Sequence, residues 1–187
     1  MDGILDGTRF FVIPKVLTMA ITPALMRRAA RLAVVCLLAG CQSYSPRGLA
    51  PGATLAEVEA SMGPRTASYA LPGSGQRLEF ARGPFGKHTY MLDFDAGGRL
   101  LRSEQVLTEN HFGRITMGQS RDEVLQAIGH PSAAQWLGFQ KRMLWSYRYD
   151  APFCIWYQVS FNTNWQVVDT GYGPDPICDH DGGDFPR

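Results

Sequence analysis

The sequence contains none of the short motifs that mark the common catalytic and nucleotide-binding sites. It has no G-x-S-x-G, H-E-x-x-H or G-x-G-x-x-G motif and no P-loop. Only four histidines and four cysteines occur in 187 residues, and no C-x-x-C or H-x-x-x-H spacing groups them as zinc ligands. We therefore expect no catalytic residues, no bound metal and no cofactor, and a function in binding.

An excess of positive charge is also missing. Five of the 18 Lys and Arg residues and two of the 17 Asp and Glu residues precede Cys41, which leaves 13 against 15 and a net charge of −2 from Cys41 onward. Binding to nucleic acid depends on a basic surface. We expect no nucleic-acid partner.

Apolar runs long enough to cross a bilayer are absent. The longest candidate is the nine-residue run LAVVCLLAG, Leu32 to Gly40, which follows Arg27, Arg28 and Arg31. A basic segment before a short apolar run is typical of a signal peptide, here residues 1–40. Residues 1–25 add acidic residues and prolines, which a signal peptide does not need. Two interpretations follow: either translation begins at Met26 and the start was assigned too early, or residues 1–25 are a real extension.

The predicted signal peptide ends in Leu38-Ala39-Gly40-Cys41, which resembles the lipobox of bacterial lipoproteins. The resemblance implies that Cys41 is diacylated and becomes the acylated N-terminus, which would anchor the chain stably in a membrane. Because Gln42 is not Asp, it also implies the outer membrane, facing the periplasm. Residues 41–50 then form a lipidated, flexible tether rich in Ser, Pro and Gly. The alternative is an ordinary signal peptide or a buried helix with a chance cysteine.

Beyond the tether, one pattern occurs twice, as GATLAEVEASMGP and as GQSRDEVLQAIGHP. Each copy has a capping box, with Thr54 or Ser120 followed three residues later by Glu. Apolar residues recur at three- and four-residue spacing, and each pattern ends at Gly63 or Gly129 shortly before a proline. Two helices of two to three turns are predicted, although common capped helices can also resemble each other by chance.

Alternating apolar segments come after each helix and predict an antiparallel meander of about three strands. The expected core-facing residues are Tyr90, Leu92, Phe94, Tyr157, Val159 and Phe161. The fold class is therefore α+β with two tandem modules, residues 51–110 and 111–175, each a short helix followed by an about three-stranded antiparallel sheet. Residues 176–187 are expected to be a solvated acidic tail, because CDHDGGD has no EF-hand spacing for a divalent ion.

Two cysteines remain once Cys36 leaves with the signal peptide and Cys41 is acylated. In an oxidising periplasm, Cys154 and Cys178 are expected to form a disulfide. The alternative is two unpaired cysteines.

Strand alternation directs Trp156 and Gln158 away from the core face, with Arg148 on the neighbouring strand. Trp and Arg are residue types that anchor protein interfaces. We therefore expect Trp156, Arg148 and Gln158 to bind a partner. The alternative is that the other module or the tail covers this face and makes Trp156 an ordinary core residue.

Together with the lipobox, the second copy resembles the BamE/SmpA/OmlA-like outer-membrane lipoproteins. The matching positions are Met117, Gly118, Ser120, Val124, Ile128, Gly129, Pro131, Trp145 and Tyr147. The first copy departs from the pattern, because Gly63 and Pro64 are adjacent and Leu78 and Phe80 stand where Trp and Tyr would. The tandem arrangement is similar in fold to the β-lactamase inhibitor protein, in which two such modules form one concave sheet surface.

The resemblance implies a protein-binding accessory or scaffold in the outer membrane. Its expected partner is an envelope protein, and a role in outer-membrane protein assembly would make that partner the β-barrel assembly machinery. Two other functions stay open. One is a periplasmic inhibitor or ligand-binding module of the β-lactamase-inhibitor type, and the other is a structural envelope lipoprotein.

Overall fold

The computed structural model describes residues 44–181, in which both predicted capping boxes are formed. The α-helices are α1 (Leu55–Met62), α2 (Glu109–Phe112) and α3 (Arg121–Ile128). The hydroxyls of Thr54 and Ser120 accept hydrogen bonds from the amides three residues later, and the glutamates there bond back to the cap. Gly63 and Gly129 end α1 and α3 at φ values of 82° and 80°, in the left-handed region that favours glycine.

The rest of the described chain forms two antiparallel four-stranded sheets, in the orders β1-β2-β3-β4 and β5-β6-β7-β8. The first sheet consists of β1 (Ala67–Ala70), β2 (Gln76–Ala81), β3 (Thr89–Phe94) and β4 (Leu100–Gln105). The second consists of β5 (Ala133–Leu137), β6 (Arg142–Arg148), β7 (Ile155–Phe161) and β8 (Val167–Pro174). The expected mixed α+β class is confirmed. The expected number of strands, about three in each sheet, is wrong, because each sheet has four. The missed strands, β1 and β5, are short edge strands with few large apolar residues, so their alternation is weak.

The two halves repeat each other even in their irregularities. The register shifts once in each sheet, between Asp93 and Phe94 and between Ser160 and Phe161. The cap residue of each long helix also forms an isolated bridge, and these bridges join Thr54 to Arg99 and Ser120 to Gln166. Each helix is thereby tied at its first residue to the segment that leads into the last strand of its own sheet.

Each sheet has one face packed against helices. The first cluster of buried residues consists of Val58, Met62, Leu78, Phe80, Leu92, Phe94 and Leu100. The second consists of Leu107, Phe112, Ile115, Val124, Ile128, Trp145, Tyr147, Tyr149, Tyr157, Val159, Phe161 and Val167. The expected core-facing residues of β3 and β7 lie in these clusters, except Tyr90, which is partly buried beside the first.

The start of the described chain packs against the first cluster. Tyr44 and Leu49 are partly buried there, and the guanidinium of Arg82 lies 3.9 Å from the centre of the Tyr44 ring. Part of the expected tether, from Tyr44 onward, thus lies against the first half of the chain. The predicted signal peptide, residues 1–40, and the predicted lipidation site Cys41 lie outside the described residues. Among residues 44–181, no helix is long and apolar enough to cross a membrane.

The second face of the first sheet is closed by the second half of the chain. Arg77 on β2 donates from Nη1 to the carbonyl oxygen of Gln126 on α3, at 3.0 Å. Glu79, also on β2, is completely buried and accepts hydrogen bonds from the backbone amide and ring of His130, just beyond α3. The two sheets thus stay separate. The end of α3 contacts one face of the first sheet.

Candidate protein-binding face

Strand register brings the three predicted binding residues together on the second face of the second sheet. Arg148 on β6 lies directly opposite Trp156 on β7, and its guanidinium is 5.4 Å from the centre of the Trp156 ring. Gln158 lies opposite Ser146 and donates from Nε2 to Ser146 Oγ at 3.2 Å. Trp156 and Gln158 are both partly exposed. The face is therefore polar at Gln158 and aromatic at Trp156.

Two glycines on β8 lie beside Trp156 and Gln158. Gly173 lies opposite Trp156, and Gly171 lies opposite Gln158. A Cβ atom at Gly173 would come within 2.7 Å of Gln158 Oε1, so a larger residue would displace the amide. The glycine at position 173 therefore leaves room for the Gln158 amide over β8.

Arg148, in contrast, is used inside the structure. The residue is only 8% exposed, and its Nη2 donates to Asp175 Oδ1 at 2.7 Å while its Nε donates to the other carboxylate oxygen. Its Nη1 donates to the carbonyl oxygen of Pro84, in the first half of the chain. The hydrogen bonds from Arg148 lower the pKa of Asp175 and keep it ionised. The other half of the chain and the segment at Asp175 thus cover Arg148, as the alternative interpretation expected, but they leave Trp156 partly exposed.

The predicted disulfide between Cys154 and Cys178 is present in the structure and holds the beginning of the tail in place. The two Cα atoms are 6.3 Å apart. The amide of Asp175 donates to the carbonyl of Cys154, and the amide of Cys178 donates to the carbonyl of Asp175, both at 3.1 Å. Asp175 is 3% exposed as a result. The tail starts as a closed turn that presents Asp175 to Arg148, and its continuation over residues 182–187 lies outside the described residues.

Phe85 also belongs to this face, although the sequence pattern did not indicate it. Phe85 ends the short turn Gly83–Phe85 between β2 and β3, and its ring centre lies 5.7 Å from the Arg148 guanidinium. Its side chain is 72% exposed. The sequence RGPFG indicates a turn but not which strand it will reach, because that depends on how the halves pack. We call Phe85, Trp156 and Gln158, grouped around Arg148, the aromatic face.

A cleft of about 290 Å³ lies beside the aromatic face, between the two halves. Its polar lining includes Arg82, His88 and His130. The two histidines already have carboxylate partners, because His88 contacts Asp150 at 2.6 Å and His130 contacts Glu79 at 2.8 Å. Within residues 44–181, no three His, Cys, Asp or Glu side chains are grouped so that they could hold a metal ion. The cleft is a recess beside the aromatic face.

No protein-family model, curated protein or solved structure matches this chain. What the fold defines is a class of architecture, mixed α+β with two antiparallel four-stranded sheets. What the geometry defines is a surface on which an exposed ring, Phe85, and a partly exposed ring, Trp156, come from the two halves of the chain and lie near one arginine, Arg148.

Proposed function

We propose that this chain is an outer-membrane lipoprotein of two BamE-like modules, anchored through Cys41, that binds an envelope protein through the aromatic face. The observation that carries the proposal is the arrangement of Phe85 and Trp156 around one buried ion pair. The centres of the two rings lie 5.7 and 5.4 Å from the guanidinium of Arg148, which also donates to Asp175. Exposed aromatic side chains held in this way are the usual anchors of protein interfaces.

The ion pair between Arg148 and Asp175 supports binding because it restricts side-chain conformations before the partner binds. Arg148 touches β7, the tail and the turn of the first half, so its fixed position also restricts the Trp156 and Phe85 rings. A side chain that is already ordered loses less entropy on binding. Burying the exposed part of Phe85, which is 72% exposed, would be worth about 2 kcal/mol.

Site-specific photo-crosslinking in intact envelopes tests the proposal. A photoreactive phenylalanine analogue at Phe85 is expected to capture one protein. The matched control is Leu101, an exposed apolar residue on β4 away from the aromatic face, which is expected to capture none. Capture of β-barrel assembly components would support an assembly role. Equal capture at both positions, or none at Phe85, would contradict binding at this face.

A second candidate function is favoured by the shape of the Gly83–Phe85 turn. Three residues present a largely exposed phenyl ring, a form suited to entering the cleft of another protein. An inhibitor of the β-lactamase-inhibitor type would use the ring in that way. If the analogue at Phe85 captures a single hydrolase, and the purified chain lowers its activity in proportion to occupancy, the inhibitor function replaces the assembly function.

Substitutions at the two rings measure their part in binding once the partner is known. Phe85→Ala and Trp156→Ala are each expected to weaken binding about thirtyfold, the effect of losing about 2 kcal/mol at an interface anchor. Leu101→Ala serves as the control and is expected to leave the Kd unchanged. A Kd that moves equally in all three variants would argue against the aromatic face.

The anchor has its own test, because it does not depend on the aromatic face. In the Cys41→Ala variant, the chain is expected to leave the outer-membrane fraction, since no acyl chains can be attached. Metabolic labelling with palmitate would be lost at the same time. A variant that stayed tightly membrane-bound without label would contradict the lipid anchor while leaving partner binding unaffected.

A further inference from the structure

The edge of the second sheet at β5 lacks the features that usually protect an edge strand. Its sequence AAQWL has no charged residue and no proline, and four of its five residues are exposed. Within residues 44–181, no backbone group of Ala133–Leu137 bonds to anything outside its own sheet. Such an unprotected edge is a template for pairing with another strand. The opposite edge, β8, carries Asp169, two glycines and Pro174.

Large apolar side chains surround this same edge. Trp136 on β5 is 51% exposed, and Phe139, in the turn that joins β5 to β6, is completely exposed. These two rings lie on the hairpin of the second half and are separate from the aromatic face. A free strand edge and two exposed rings on one hairpin therefore lack a covering surface within the described chain.

We infer that β5 pairs antiparallel with β5 of a second copy of this chain, about a two-fold axis that passes through Gln135. This register places Gln135 opposite the partner's Gln135, where the two amides can bond to each other. It places Ala134 opposite the partner's Trp136, and Ala133 opposite the partner's Leu137. Each large residue of β5 thus meets an alanine, which is the complementarity that an isologous interface requires.

The charge pattern favours a second copy as the occupant. A two-fold axis brings equivalent regions of two strands together, so any charge at the centre of β5 would face its own like charge. Ala133–Leu137 carries none. Continuing the register by two residues places the partner's Phe139 opposite Pro131, which lines the cleft between the two halves. The exposed ring then gains an apolar neighbour that it lacks in one copy.

The buried area sets the strength of this contact. Counting about 200 Å² for a fully exposed aromatic side chain, Trp136 and Phe139 offer about 300 Å² per copy and about 600 Å² per pair. Backbone pairing adds to this, but a stable interface buries about 1,200 Å² or more. The dimer is therefore a reversible one whose population rises with protein concentration.

Disulfide trapping in the full chain tests the inference. Opposed residues of an antiparallel pair have Cβ atoms about 5 Å apart, so Gln135→Cys is expected to form a linked dimer under mild oxidation. The control is Asp169→Cys, which stands in the same cross-strand row of the same face but on the opposite edge, β8. That variant and the wild-type chain are expected to stay unlinked. Equal linking at both positions, no linking at Gln135→Cys, or a product containing a different protein would overturn the inference.

A second variant separates dimer formation from the chemistry of trapping. Gln135→Lys places two ammonium groups opposite each other, so the dimer Kd measured by sedimentation is expected to rise about fivefold. The matched control Thr163→Lys adds the same charge at an exposed turn and is expected to leave that Kd unchanged. Unchanged self-association of Gln135→Lys, or a monomeric wild-type chain at every concentration, would also overturn the inference.

Discussion

Replacing Glu79 with alanine tests the contact that joins the two halves of the chain. The Glu79 carboxylate is completely buried and accepts hydrogen bonds from the Tyr69 hydroxyl at 2.6 Å, the His130 amide at 2.9 Å and a second His130 contact at Nδ1, 2.8 Å. Burial and the bond to Glu79 raise the pKa of Tyr69, so its hydroxyl remains a donor at all ordinary pH values. Glu79→Ala removes the acceptor shared by both halves.

The expected cost depends on the groups that the substitution leaves behind. The partly buried Tyr69 hydroxyl and the His130 amide lose their partner, and removal of the fully buried Glu79 side chain leaves a cavity. Leaving partly buried hydrogen-bonding groups without their acceptor costs about 1 to 3 kcal/mol. With a urea m-value of about 2 kcal/mol per molar, the unfolding midpoint is expected to fall by about 1 M. Such a loss is measurable against a typical total stability of about 5 to 15 kcal/mol.

Urea unfolding followed by tryptophan fluorescence measures this loss. The matched control is Glu59→Ala, because Glu59 is also a glutamate with a side-chain partner, Arg65 at 2.9 Å, but both of these side chains are more than one third exposed. An exposed pair contributes about 0 to 1 kcal/mol, so the control midpoint should move little. Glu79→Gln, which keeps the shape and one acceptor, should fall between the two. If Glu79→Ala loses no more stability than Glu59→Ala, the carboxylate does not join the halves.

Three further predictions concern the second half. Cys178→Ser is expected to lower the free energy of unfolding by about 3 kcal/mol, because the disulfide closes a loop with a sequence separation of 24; wild type measured with a reductant should match the variant. Because Arg148 lowers the pKa of folded Asp175, the pair stabilises the fold above the unfolded pKa, about 3.9, and this contribution is lost as pH falls through the folded value. Asp175→Asn should therefore destabilise at pH 7 and flatten the acid decline of the urea midpoint, and an unchanged acid decline would contradict the pair. Ser120→Ala should cost about 1 kcal/mol by removing the cap of α3, and a loss near zero would show that the capping box does not matter.

The predictable parts of the fold were those that depend on neighbouring residues. A capping box acts over three residues and a helix stop over one or two, so both long helices could be located from Thr54 and Ser120 alone. Strand alternation likewise identified the core faces of β3 and β7. The edge strands β1 and β5 were not predicted, because a short strand can pair at the edge of a sheet without alternating apolar residues.

The candidate site was predictable only in part, for a related reason. Arg148 and Trp156 lie on adjacent strands of one meander, and their proximity results from pairing those strands. The contacts of Arg148 with Asp175 and Pro84 span 27 and 64 residues and cross the boundary between elements. Strand alternation does not indicate such long-range contacts. It therefore predicted that Arg148 binds a partner, whereas in the structure Arg148 bonds to Asp175 and Pro84 of the same chain.

The sequence by itself determined the local elements of this protein, because caps, turns and alternating faces arise from residues a few positions apart. It also determined which cysteines could pair, since few were present. Only the tertiary structure decided which sheet face stays open. That choice depends on where α3 and the tail come to rest, through Glu79 and His130 on one side and Arg148 and Asp175 on the other. Burying these charges requires partners placed by the whole fold, so packing between the halves, and not the repeated pattern, left Phe85 exposed and Trp156 partly exposed.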